Sequence, residues 1–244
     1  MDALAQARLE RVLLLSCYSE QVKVAAVCVF DLDHTLVNSP LDLSQVAREM
    51  EAFARRSGLV LPERELPWYG AEILELVRGE APQLERELMA VPVAFERNAM
   101  QGATLEPLAR EILVQLRMRG YATAVWTNND SVVTDLVMSK FELQPLFDLV
   151  VTRDRVRRSK PDGDGLDLVK NRWPGLPSVV VGDSWVDAAA ALAGGVPFIG
   201  YKTNESELNR RRLPIFANVV SMAQLPTIVG RLFGESISRS QAAP

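Results

Sequence analysis

The chain has 244 residues, 48% of them hydrophobic, and a formal charge of −4 from 27 basic and 31 acidic side chains. The apolar fraction supplies a sizeable core, and the negative balance excludes a sequence-independent grip on nucleic acid, which needs a basic surface to displace counterions. A single histidine, His34, and two cysteines exclude Ser-His-Asp catalysis elsewhere in the chain, a histidine-rich zinc site and a disulfide framework. Cys17 and Cys28 read as reduced and inert, Cys28 lying inside an apolar strand where a small thiol is commonly buried. Chemistry here rests on carboxylates, hydroxyls and lysine.

In chain order, residues 1–21 read as a helical leader of a cytoplasmic protein. Their apolar patch is short, follows charged residues and lacks a cleavage site. No run reaches the roughly 20 apolar residues that span a bilayer. A buried strand is expected over 24–30, ending in Asp31 and Asp33. About 80 residues separate it from the next strand, far more than an ordinary βαβ connection. Helices are expected there over 43–56, 69–77, 83–90 and 95–100, divided by Pro40, Pro62, Pro67, Pro82 and Pro92. A helix over 106–119 closes at Gly120, and a strand follows at 122–126. Next come a helix over 131–141 capped by Ser131, a strand at 147–151, a helix over 166–172, and strands at 179–181 and 196–200. Residues 213–233 supply the last strand and helix, and 236–244 read as a fraying tail. The alternation means an α/β fold, a three-layer Rossmann-like parallel sheet core formed by 1–39 and 101–244, with a small α-helical cap domain inserted over 40–100.

The polar residues at the strand ends carry the functional signal. Asp31 and Asp33, two apart, point to the same side of a continuing strand, and such close carboxylates call for a shared proton or a cation. A hard metal such as Mg²⁺ takes oxygen ligands of this kind. After the later strands come Thr127-Asn128, then Lys160, then Gly182-Asp183-Ser184-Trp185-Val186-Asp187, all able to face one crevice beyond the carboxyl ends of the sheet. Phosphoryl transfer needs a nucleophile, an acid/base, donors for the phosphoryl oxygens and a metal, and these residues supply each.

Asp31-Leu32-Asp33-His34-Thr35-Leu36, Thr127-Asn128, Ser159-Lys160-Pro161 and Gly182–Asp187 together resemble the four motifs of the haloacid dehalogenase superfamily. The spacing is similar to its phosphoglycolate-phosphatase-like branch, in which a helical cap separates the first two motifs. The resemblance covers about residues 24–200 and implies an Mg²⁺-dependent phosphatase acting on a small phosphorylated metabolite. It implies that Asp31 is the nucleophile and that Asp33 is the acid/base, with its carbonyl on the metal. It further implies that Thr127 and Lys160 hold phosphoryl oxygens, that the amides of Leu32 and Asn128 complete the cradle, that Asp183 ligates the metal, and that Asp187 supports it from outside. Asp33 favours phosphate-ester chemistry, since relatives similar to dehalogenases lack a carboxylate at that place. A β-phosphoglucomutase-like mutase and a non-catalytic binding module are the alternatives.

Other features read as ordinary. Asp162–Asp167 hints at a calcium loop but lacks the closing acid and reads as a turn. Arg153, Arg155, Arg157 and Arg158 read as a solvated basic loop, Arg210-Arg211-Arg212 as surface, and His34 as a capping or solvent-facing residue. In the cap, Arg48, Arg55, Trp68, Tyr69 and Arg97 fit helix packing as well as substrate contact. Neither membrane nor nucleic acid is expected as a partner, and the oligomeric state is left open.

Overall fold

A computed structural model of the protein describes residues 24–234, so the expected leader at 1–21 and tail at 236–244 lie outside the described residues. Strand β1 (Ala26–Phe30) is central, pairing in parallel with β4 (Tyr121–Trp126) on one side and β6 (Ser178–Gly182) on the other. With β5 (Leu149–Val151), β7 (Phe198–Tyr201) and β8 (Ala217–Val219) they form a six-stranded parallel sheet in the order β5-β4-β1-β6-β7-β8.

All five β1 residues are buried, which explains a run of apolar residues with no polar alternation. Ala26, Cys28 and Phe30 face one apolar cluster, and Val27 and Val29 face another. Onto the first face pack α4 (Ala109–Met118), α5 (Ser131–Lys140) and α9 (Leu225–Phe233) through Leu113, Val137 and Val229. Onto the second pack α6 (Asp164–Arg172), α7 (Trp185–Ala193) and α8 (Glu205–Arg210) through Val169, Ala191 and Leu208. The expected three-layer α/β core is present. Among the described residues no helix is long and apolar enough to cross a membrane.

Between β1 and β4 the chain forms α1 (Leu43–Arg56), α2 (Gly70–Glu80) and α3 (Glu85–Gln101), which bury Val46, Met50, Ile73, Val77 and Leu88 in a cluster of their own. The expected helices at 83–90 and 95–100 are instead one helix running through Pro92. That proline is buried, and the packing of Leu88, Ala99 and Met100 holds the helix across the missing donor. Pro82 does mark a boundary, opening the 3₁₀ turn Pro82–Leu84.

Smaller shifts have local causes. Asp130, not Ser131, caps α5, its carboxylate accepting from the Val133 amide at 2.8 Å. Helix α4 begins at Ala109 rather than 106 because Leu108 takes a left-handed φ of 65°. β7 starts at Phe198 because the Val196 amide is spent on the Ala191 carbonyl at the end of α7.

A short antiparallel ribbon, β2 (Val37–Asn38) with β3 (Thr104–Leu105), closes the helical insertion. Just after it Glu106, 3% exposed, accepts hydrogen bonds from Asn38 Nδ2, Tyr201 Oη and Lys202 Nζ, tying the ribbon to the end of β7. Burial alone would raise the Glu106 carboxyl, but the donors from Lys202, Tyr201 and Asn38 outweigh it and hold the group below its usual 4.5. A carboxylate depressed on folding stabilises fully above its ordinary pKa and loses that contribution as pH falls through the folded value. Glu106→Gln is therefore expected to lower stability by about 1–3 kcal/mol at pH 7 and to converge with the parent in acid. Urea unfolding measured between pH 7 and pH 3 reads this, and a constant difference across the range would show that the Glu106 charge does not stabilise the ribbon.

Candidate active site

Beyond the last residue of β1, the Asp31 amide still reaches the Val181 carbonyl of β6 at 2.9 Å, so its side chain leaves the sheet at the end of the central strand. Asp31 is 8% exposed and its Oδ1 accepts from Lys160 Nζ at 2.6 Å. The same ammonium donates to Asp187 Oδ1 at 2.6 Å, and Lys160 is itself 3% exposed. Burial disfavours its charge, but Asp187 and Asp31 together push its pKa up, so it stays an ammonium.

Each of these side chains is fixed by a neighbour. Asn128 brackets the Lys160 peptide, its Oδ1 accepting from the Lys160 amide and its Nδ2 donating to the Lys160 carbonyl, both at 2.9 Å. Thr127 directly follows β4 and is 2% exposed, its hydroxyl oxygen accepting from the Asn129 amide at 3.1 Å. Asp187 sits on the first turn of α7, where Oδ2 accepts from Ser184 Oγ at 2.7 Å and from the Ser184 amide at 3.2 Å. Gly182 gives that carboxylate its room, since a Cβ there would lie 2.5 Å from Asp187 Cγ.

Asp31, Asp183 and Asp187 each offer an oxygen within 4.8 Å of the others. Burial, then the Asp187 charge, raises the Asp31 carboxyl to about 7 against the opposing pull of Lys160. Asp183 is pushed well above the usual carboxylate range by burial and then by Asp187 and Asp31. Three carboxyl groups thus face one ammonium, too little positive charge for all of them to ionise together, and the donors are all oxygen. A hard divalent ion such as Mg²⁺ fits both properties.

The Asp33 charge acts on Asp31, helping to raise its carboxyl, but the two side chains keep separate hydrogen-bond partners. The strand does not continue: the chain turns through His34 at φ 58°, and Asp33 accepts instead from Ser39 Oγ at 2.8 Å, the Ser39 amide at 3.3 Å and the His34 amide at 3.1 Å. Asp33 therefore stands where the chain enters the insertion. His34 Nε2 lies 3.9 Å from Asp33 Oδ2. The Leu32 side chain is fully buried, leaving only its backbone to meet a ligand.

Two arginines read as surface residues are not. Arg211 stacks 3.7 Å from the Trp185 ring centroid and pairs with Glu72 of α2 and Glu207 of α8, each at 2.6 Å. Arg153 meets both oxygens of Glu96 on α3 at 3.0 Å. Tyr69, which fitted helix packing and substrate contact equally, lies edge-on to Trp185 at 6.2 Å between centroids. Asp162, at the rejected calcium loop, pairs with Arg78 of α2 at 3.0 Å. Apart from Glu207, four residues before Arg211, these partners lie far away in sequence, so only the fold reveals them. Among the remaining named side chains, Arg55 pairs with Glu51 at 2.8 Å, Arg48 lies 3.8 Å from Asp42, and Trp68 stacks under Arg64 at 4.2 Å.

Comparison with known proteins agrees with this geometry. The family model for haloacid dehalogenase-like hydrolases matches residues 28–201, which span all four motifs. A phosphoglycolate phosphatase from Cereibacter sphaeroides is 29% identical over 214 residues, covering 84% of this chain and 97% of the relative. Another from the same species is 31% identical over 180 residues, covering 70% and 82%. Among solved structures, a putative phosphoglycolate phosphatase from Lactobacillus plantarum superposes with a TM-score of 0.62 at 17% identity, over 84% of this chain and 99% of that one. A family hydrolase from Deinococcus radiodurans with bound phosphate and sodium gives 0.58 at 22% identity, over 89% and 99%. The chain belongs to the haloacid dehalogenase-like hydrolase family, and the curated relatives it resembles are phosphatases.

Proposed function

We propose that the protein is a cytoplasmic, Mg²⁺-dependent phosphatase that hydrolyses a small phosphate monoester through an aspartyl-phosphate on Asp31. The observation that carries this reading is the Asp31, Lys160, Asp183 and Asp187 cluster at the carboxyl end of the central strands. In the first step an Asp31 oxygen attacks phosphorus, the bond from phosphorus to the ester oxygen breaks, and Asp33 donates a proton to that oxygen. In the second, Asp33 takes a proton from water as the water oxygen attacks phosphorus, releasing phosphate and restoring Asp31. Lys160, Thr127 and the amides of Leu32 and Asn128 hold the phosphoryl oxygens. Asp31, Asp183 and the Asp33 carbonyl would hold Mg²⁺, with Asp187 supporting it. When bound, the ion supplies neutralisation of charge developing on the phosphoryl group.

The helical insertion acts as a cap in this reading, and Asp33 meets it at Ser39. A cavity of about 570 Å³ at the seam between insertion and core is lined by Arg78, Arg86, Arg153 and Arg157 beside Glu85, Asp130 and Ser159, with Arg78 paired to Glu85 and Arg153 to Glu96. Arg86 and Arg157 are exposed, and the carboxylate paired with Arg157 is at 3.8 Å. This basic wall beside the Asn128 and Lys160 loops favours a leaving group that carries its own carboxylate. The names of the phosphoglycolate phosphatases point the same way.

Four outcomes test the reading. Asp31→Asn should lower phosphate release by roughly 10³-fold or more while the thermal midpoint holds, and chelation should abolish release until Mg²⁺ is restored. Near-native turnover in that variant would refute the mechanism. Gly182→Ala should cut kcat by about 10²-fold, because its Cβ displaces the Asp187 carboxylate; unchanged kcat would show that Asp187 can shift without cost. Arg86→Gln should raise KM about tenfold for carboxylated phosphate esters and leave KM for uncharged ones alone. Equal effects on both classes would remove the carboxylate from the reading.

A further inference from the structure

Arg153 takes no part in the phosphoryl chemistry above, yet it differs from its neighbours in the basic loop. Arg155, Arg157 and Arg158 are exposed, whereas the Arg153 side chain is 12% exposed and that of Glu96 7%. Its Nη1 and Nη2 form a fork on the two Glu96 oxygens at 3.0 Å, and Nη1 also donates to the Asn128 carbonyl at 2.7 Å. Its own amide donates to the Asn129 carbonyl at 3.0 Å. Helix α3 reaches the same loop a second time, through Arg97 and Asp130 at 3.7 Å.

From Asn128 the contacts continue through its reciprocal pair of bonds to the Lys160 peptide, and from Lys160 Nζ to Asp31. Hydrogen bonds, linked through the covalent frames of Asn128 and Lys160, thus join a residue of the insertion to the nucleophile proposed above. Burying an ion pair is a poor way to fasten a helix, because its desolvation cost cancels much of the attraction and an apolar pair holds as well. What the guanidinium adds is direction: a planar fork occupied by Glu96 leaves a third donor aimed at one carbonyl. An ammonium cannot reproduce that geometry.

We infer that Glu96 and Arg153 are positioning residues: seating of α3 sets the Asn128 loop, and through it the Lys160 side chain, in the arrangement that receives the phosphoryl group. The inference rests on the phosphatase reading. It makes the helical insertion part of the phosphate-binding apparatus, as well as a cover over it.

The test is a cycle of variants on the full chain with Mg²⁺, assayed for turnover of p-nitrophenyl phosphate and, by calorimetry, for binding of inorganic phosphate. Arg153→Lys and Glu96→Gln should each lower kcat by about 10- to 100-fold and weaken phosphate binding, with the thermal midpoint held within a few degrees. If Arg153 acts through Asn128, adding Arg153→Lys to Asn128→Ala should change kcat by less than about twofold. A general loss of packing would give the same fold-loss in both backgrounds and would overturn the inference, as would unchanged kcat and phosphate affinity. Should Arg153→Lys fail to fold, the isosteric Glu96→Gln carries the same comparison. An active parent enzyme with additive losses removes this inference alone. A parent that neither releases nor binds phosphate removes the phosphatase reading and this inference with it.

Discussion

The Lys160 ammonium, shared at 2.6 Å between Asp31 and Asp187, is the contact on which the rest of the site depends. Charges so deeply buried are tolerated only when paired and hydrogen-bonded, and removing one partner is far more damaging than never having had the pair. The surroundings therefore serve to keep this lysine and its partners in place. Asn128 brackets its peptide, Ser184 takes the second oxygen of Asp187, and Gly182 leaves the clearance that the Asp187 carboxylate needs. Gly165 leaves similar room for Trp126, whose ring centroid lies 5.6 Å from Nζ, since a Cβ there would fall 2.2 Å from the indole nitrogen.

Topology explains why these groups meet. β1 lies between β4 and β6, so the three strand ends that carry Asp31, Thr127 and Asp183 are adjacent, at the place where successive connections leave to opposite faces. Lys160 arrives from the loop after β5 and is brought inward by Asn128. The helical insertion leaves β1 directly beside Asp33 and returns through the ribbon that Glu106 anchors to Tyr201 and Lys202.

The core was legible because its signals are local. A buried parallel strand reads as an unbroken apolar run, and a carboxylate at its end stands out against it, so Asp31, Lys160, Asp183 and Asp187 could be singled out before their contacts were known. Pro92 misled because proline is judged by its lost donor, whereas tertiary packing around Leu88 and Met100 decides. The ribbon strands are two residues each, too short for any periodicity to register. Arg211 and Arg153 were invisible as site residues because a run of arginines looks solvated until a partner is brought to it. Their partners, Glu72 and Glu96, stand on a different layer of the fold.

Those partners explain how the insertion is held. Among the described residues three ion pairs of 3.0 Å or shorter cross the seam, besides Arg97 with Asp130 at 3.7 Å: Glu72 with Arg211, Arg78 with Asp162, and Glu96 with Arg153. Each core residue touches a segment that carries a member of the site. Arg211 stacks on Trp185, two residues after Asp183; Asp162 is two residues after Lys160; Arg153 binds the carbonyl of Asn128. The partly exposed Arg211 and Arg78 pairs contribute little stability and the buried Arg153 pair returns little beyond its desolvation cost, so their placement matters more than their strength. An insertion held by apolar contact alone would slide over the core without moving any one loop. One held at three charged points, each on a different site segment, cannot shift without straining the groups around Asp31. The buried carboxylates set the demand for positive charge at the floor of the site, and these three arginines carry the position of the helices above down to it.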